Sequence, residues 1–197
     1  MKPSRLALLV TLWVAIGTRG IAAAMPAGIE DLSSTAADGT RTLRQSVIVA
    51  APLPAVWTAF TTTDGYISWA MPVARVDFRV GGIIEASYVR DAQLGDANNI
   101  RNEIIAYAPE RMFAIRNRNA PSDAPFDVPT FQSLHTVVLL DDAGSGTTRV
   151  TIVQPGYRDG DKYEKLWKFF AWGNGATLAA LRDRFVNGPT DWSKPRA

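Results

Sequence analysis

Histidine occurs once in the 197-residue chain, as His135, and cysteine does not occur. Those two counts exclude thiolate metal sites, iron–sulfur clusters, a cysteine nucleophile and any site built on two or three histidines. A metal site would need carboxylates alone, and no D-x-D-x-D-G loop is present; no metal and no cofactor is expected. A Ser or Thr nucleophile needs a neighbouring base, and His135 is the one imidazole available. Its strand pattern groups it with Val137 and Leu139 on one face, where it is either a hydrogen-bonded strand histidine or a general base. There is no G-x-S-x-G elbow, no G-x-G-x-x-G and no P-loop, and Gly173-Asn174-Gly175 lies within a helical stripe. No catalytic residue is therefore assigned. Three further polar residues could serve an enclosed site. Tyr88 shares a strand face with Ile84 and Ala86, which reads as the inner face, and a buried tyrosine hydroxyl needs a partner that a ligand could supply. Glu103, if inward, would be a desolvated carboxylate able to act as acid or base. Arg116, if inward, would bind a carboxylate. The pattern around these last two leaves the inward face open.

The elements that would position these groups follow from local pattern. A strand runs through RTLRQSVIVAA, with Val47 and Val49 alternating, and stops at Pro52 and Pro54. A helix follows, with Val56, Trp57 and Phe60 at helical spacing, closed by Thr63-Asp64-Gly65; a second helical turn spans Tyr66 to Ala70. Val76, Phe78 and Val80 alternate with charged residues in a strand that turns at Gly81-Gly82 into IIEASYVRD. After the turn at residues 92 to 99 come IRNEIIAYA and RMFAIRNR. Residues 119 to 133 carry three prolines and read as a long loop. Phe126 and Phe131 make it a candidate mobile lid. LHTVVLLDD and TTRVTIVQP form a hairpin. The rest is one long helix. Asp161 and Glu164 resemble a capping box, and Tyr163, Leu166, Phe170, Gly173, Thr177, Leu181 and Phe185 form its apolar stripe. Gly173 and Gly175 each cost about 1 kcal/mol relative to Ala inside a helix, so close packing or open space beside the sheet is expected there. Asn187-Gly188-Pro189 stops the helix.

The N-terminus has the layout of a secretory signal. Lys2 and Arg5 precede the apolar run Leu6 to Gly17, too short to span a bilayer comfortably. Ala22-Ala23-Ala24 offers a cleavage pattern that starts the mature chain at Met25. Arg19 in the cleavage region keeps an uncleaved anchor open as the alternative. The formal net charge is +2, from 21 basic and 19 acidic residues. Without Lys2, Arg5 and Arg19 it becomes −1, which does not support a nucleic-acid partner. The organisation expected is a signal over 1–24, a flexible arm over 25–40, one domain over 41–187 and a tail over 188–197. The location expected is the bacterial periplasm or the medium, with no stable membrane span once the signal is removed.

From about Leu43 to Phe185 the chain resembles the START-like, or SRPBCC, superfamily of helix-grip proteins. The branch it is most similar to is the one named for activators of the heat-shock-chaperone ATPase. The motifs that carry the resemblance are VIVAAPLPAVWTAFTTTDGYISWAMP, DFRVGG, Pro109-Glu110-Arg111, and TTRVTI followed by a helix ending LAALRDRF. The resemblance implies an α+β helix-grip fold. A curved antiparallel sheet of about six or seven strands wraps a long C-terminal helix, with two short helices after the first strand and a ligand-sized cavity between. The scaffold hosts carriers, receptors, cyclases and co-chaperones, so it implies no single function. The aromatics Trp57, Trp69, Phe78, Phe113, Trp167, Phe170 and Trp172 serve ordinarily as core. With the helix stripe over the sheet, the cavity candidates are Trp57, Trp69, Phe78, Ile84, Tyr88, Phe170, Asn174 and Thr177, joined by Glu103, Arg116 and His135 if they turn inward. The function read is binding of a small apolar or amphipathic ligand by an exported protein. A cyclase- or hydratase-like enzyme and a protein-interaction module with an unknown partner are the alternatives.

Overall fold

The computed structural model describes residues 24–194, so the leader up to residue 23 and the last three residues of the tail lie outside it. The strands are β1 (Glu30–Asp31), β2 (Ser34–Thr35), β3 (Arg41–Val49), β4 (Val73–Val76), β5 (Ile83–Ser87), β6 (Ile100–Ala108), β7 (Met112–Asn119), β8 (Thr136–Gly144) and β9 (Thr147–Tyr157). The helices are α1 (Leu53–Thr61), α2 (Thr63–Ile67), α3 (Val128–Ser133) and α4 (Asp161–Asn187). One sheet holds all nine strands in the order β1-β3-β9-β8-β7-β6-β5-β4, with β2 also paired to β3. Every pairing is antiparallel. This is the expected α+β helix-grip arrangement with two strands more than the upper expectation.

The extra strands come from residues 25–40, which are not a loose arm. Glu30 pairs with Ser46 and Ser34 with Thr42, covering the outer edge of β3. Ile29 packs against the core. Small polar residues can form these strands because an edge strand pairs through its backbone groups. The strand through Val76, Phe78 and Val80 ends at Val76: the Asp77 amide bonds Ile83 O and the Gly81 amide bonds Ile104 O, so the chain turns early. Thr63-Asp64-Gly65 opens α2 instead of only closing α1. Thr62 Oγ1 accepts from the Gly65 amide at 3.0 Å, an N-cap that starts the helix three residues before the expected Tyr66.

The proline-rich segment, expected as one long loop, contains a helix. Pro129 sits in the first turn of α3, where a missing N–H costs nothing. Asp127 caps that helix, accepting from the Thr130 amide and hydroxyl. The bond from Lys162, with those from Thr130, brings the Asp127 carboxyl down to about 2. α4 begins after Gly160 with no side-chain cap, so the expected capping box is absent; Glu164 instead receives Arg41 Nη2 at 3.0 Å. The tail is tied down as well. Trp192 Nε1 donates to Ile67 O at 2.7 Å and the Thr190 amide donates to Ser68 O, strapping the chain over α2.

α4 packs against β3 and β9 and buries Leu166, Asn174, Gly175, Leu178 and Leu181. The main core joins Val47, Val49, Val56, Phe60, Trp69, Phe113, Leu140, Val150, Leu178 and Leu181. Each such side chain contributes about 1.5–3 kcal/mol by leaving water. A second cluster, around Leu43, Leu134, Tyr157 and Leu166, holds Phe126, Phe131 and Phe170. Among the described residues no helix is long and apolar enough to cross a membrane.

Candidate functional site

Between the sheet and α4 lies a cavity of about 160 Å³. Its sheet wall follows from period-2 alternation. Ile84 of β5 stands opposite Asn102 of β6, and Asn102 opposite Asn117 of β7. Phe113 of β7 faces Val138 of β8, which faces Ile152 of β9, and Ile115 faces Thr136. Asn174 and Thr177 of α4, Phe60, Tyr66 and Trp69 from the helical segment, and Phe131, Leu134 and the exposed His135 before β8 complete the lining.

A polar network lines part of this apolar chamber. Gln154, just behind the lining, is 1% exposed and makes three side-chain bonds. Its Nε2 donates to Thr136 Oγ1 at 2.9 Å, and its Oε1 accepts from Asn174 Nδ2 at 2.9 Å and from the Tyr157 hydroxyl at 3.1 Å. Asn117 Nδ2 donates to Asn102 Oδ1 at 3.1 Å and to Asn119 O at 2.8 Å. Burial pushes the Tyr66 hydroxyl well above the usual phenol range, with a smaller push from Tyr88; burial raises Tyr157 likewise, against a weaker pull from Arg41. Both stay neutral. Among the described residues no group of three or more carboxylate or imidazole side chains converges to hold a metal.

The structure brings Trp69, Ile84, His135, Asn174 and Thr177 to the cavity and places the other candidates elsewhere. Tyr88 lies just past the end of β5 and is 46% exposed, because the strand stops before its side chain can turn inward. Glu103 pairs with Arg118 on the face opposite Asn102, and Arg116 lies exposed on that same outer face. Trp57 and Phe78 stack edge to face at 5.3 Å behind Phe113, outside the cavity lining. Phe170 packs on Phe131 at 4.7 Å in the second cluster, one layer behind the cavity wall. His135 precedes β8 instead of sharing a face with Val137 and Leu139; the strand turns Thr136, Val138 and Leu140 inward.

Asn102, Asn117, Thr136 and Gln154 escaped the sequence reading. A signal for the first two was present: Asn102 lies between Arg101 and Glu103, and Asn117 between Arg116 and Arg118. Four charges on one face leave the asparagines on the other. The glycines separate too. No atom lies within 4 Å of a Cβ added at Gly173, whereas one at Gly175 would stand 2.5 Å from Met25 Sδ. Gly175 therefore makes the slot that seats Met25, which in turn accepts from Gln45 Nε2 at 3.6 Å.

The fold and its enclosed chamber define a helix-grip domain of the START-like class. Residues 50–185 match the family described as activator of Hsp90 ATPase homolog 1-like protein, and the chain belongs to that family. Membership and fold place it among ligand-binding or chaperone-activator-like domains. The structure is similar to the Aha1 dimer from Colwellia psychrerythraea, at 14% identity and TM-score 0.55, covering 75% of this chain and 97% of that one. It is also similar to CalU16 from Micromonospora echinospora, at 19% identity and TM-score 0.55, covering 83% and 86%. A third similar structure is protein SSP2350 from Staphylococcus saprophyticus, at 16% identity and TM-score 0.56, covering 76% and 94%. These likenesses are of fold. No curated protein matches the chain.

Proposed function

We propose that this protein is an exported binding protein that holds a small apolar or amphipathic ligand between its sheet and α4. The observation that supports the reading is the cavity, walled by Phe60, Trp69, Ile84, Phe113 and Val138 and edged by neutral polar side chains. Apolar walls with a few oriented polar groups are what small-molecule sites use. The chamber is small, so an amphipathic ligand would place one compact end inside and its remainder outside. Of the four polar groups that could have supported a cyclase- or hydratase-like reaction, only His135 borders the cavity, which disfavours that alternative. A chaperone-activator role is suggested by the family description, and an exported chain would not meet a cytosolic ATPase. Native mass spectrometry of protein purified from its own host should show a bound small molecule. Material that is repeatedly empty and binds no apolar probe would overturn the reading, and cytosolic protein starting at Met1 that stimulates a chaperone ATPase would replace it.

A further inference from the structure

The cavity's polar atoms have directions, and those directions describe a ligand. Gln154 is fixed by three bonds, with its Nε2 on Thr136. Asn174 turns its Nδ2 to Gln154 Oε1, and its Oδ1 remains. Asn174 is 8% exposed and no described residue bonds that oxygen. On the sheet side, Asn117 points its amide nitrogen at the carbonyls of Asn119 and Arg101 and at Asn102 Oδ1. That fixes Asn102 with its oxygen toward Asn117, and Nδ2 remains. Thr136 Oγ1 accepts from Gln154, so its own O–H is left to donate. The helix side thus offers an acceptor, and the sheet side offers two donors beside Asn117 Oδ1, which is buried and bonds no described residue. No Asp, Glu, Lys or Arg lines the cavity, and the one imidazole there, His135, is exposed.

Resting on the binding reading above, we propose that the cavity selects a neutral, ring-sized group that carries a hydrogen-bond donor and an acceptor side by side, as a lactam or cyclic amide does. Asn174 Oδ1 takes its N–H, while Asn102 Nδ2 or the Thr136 hydroxyl gives to its carbonyl. The volume sets the size, since a cavity of about 150 Å³ holds a benzene-sized molecule. The absence of an inward cation sets the charge, because a buried carboxylate needs a partner. A plain hydrocarbon would leave the polar atoms unanswered.

Binding of 2-pyridone, N-methyl-2-pyridone, benzene and benzoate to the full mature chain, followed by amide chemical shifts of cavity residues, tests this. 2-Pyridone should bind about tenfold or more tightly than each of the other three, roughly the worth of one to two hydrogen bonds. Asn174→Leu should remove that preference and keep benzene binding. The comparison with N-methyl-2-pyridone needs no variant, so it holds even where Asn174→Leu fails to fold. Benzene, benzoate or the N-methyl compound binding as tightly as 2-pyridone would overturn the proposal. If all four fail while dodecanoate binds and shifts the same residues, the ligand class is wrong and the binding reading stands. If dodecanoate fails too, both fall.

Discussion

Glu85 is 2% exposed, yet it lies on the strand face opposite the cavity lining. Its carboxylate accepts from the Gly95 amide at 2.6 Å and from Asn99 Nδ2 at 2.9 Å, and it meets Arg101 at 3.2 Å and Arg75 at 3.4 Å. It thereby folds the turn at residues 92–99 onto the sheet. Burial pushes its carboxyl up, but the bonds from Asn99, Gly95 and Arg101 outweigh it and the net direction is down from the usual 4.5. A depressed carboxyl stabilises the fold above its unfolded value and loses that contribution as pH falls through its folded value. Glu85→Gln should cost about 1–3 kcal/mol at pH 7. It should also flatten the decline of stability below about pH 4.5. Urea titrations of both proteins at pH 7 and pH 3.5 measure the two effects; an equal difference at both pH values would show that the carboxylate charge does not hold the turn.

At the scale of the element, α4 shows how one helix treats two glycines differently. With open space beside it, Gly173→Ala should raise stability by up to about 1 kcal/mol, or a Tm higher by roughly 2–4 °C in a domain of this size. Gly175→Ala would gain the same propensity but push Met25 from its slot. It should show little rise in Tm, with faster hydrogen exchange at Ile29 and Leu32, whose amides bond Pro26 O and Arg44 O. The segment before β8 follows a related logic. Phe126 lies 4.9 Å from Phe169 and 5.6 Å from Phe170, which pins the segment leading into α3 to α4. Phe126→Ala should free this segment, so that its amides exchange faster while those of β3 and β9 do not. Uniform acceleration across the sheet would show instead that the cluster supports the whole core.

For the whole molecule, the edge of the sheet decides solubility as well as stability. β1 and β2 cover the backbone of β3, and the Arg149–Glu30 pair at 2.7 Å fastens β1 across to β9. A chain beginning at residue 41 should melt several degrees lower and associate as concentration rises, because the bared edge is a template for another strand. Light scattering and thermal melts over a concentration series check this. N-terminal sequencing of exported protein should read from Met25, the residue seated at Gly175.

The fold class was legible in the residues, since alternation along β3, β5 and β9 and the stripe on α4 are local periods set by backbone geometry. Prolines, glycines and the short motifs from Leu43 onward placed most boundaries to within a few residues. What local pattern could not carry was anything decided by a distant partner. Asp77 leaves its strand because Gly81 finds Ile104 O on β6. Residues 30–35 become strands because β3 has a free edge, and Trp192 is held because Ile67 presents a carbonyl. The cavity is the strongest case. Trp69, Ile84 and Asn174 were nameable from their own elements, but Asn102, Asn117 and Gln154 gain their meaning from one another. A side chain's spare hydrogen-bonding direction depends on which neighbours have used the others, and only the packed sheet and helix settle that.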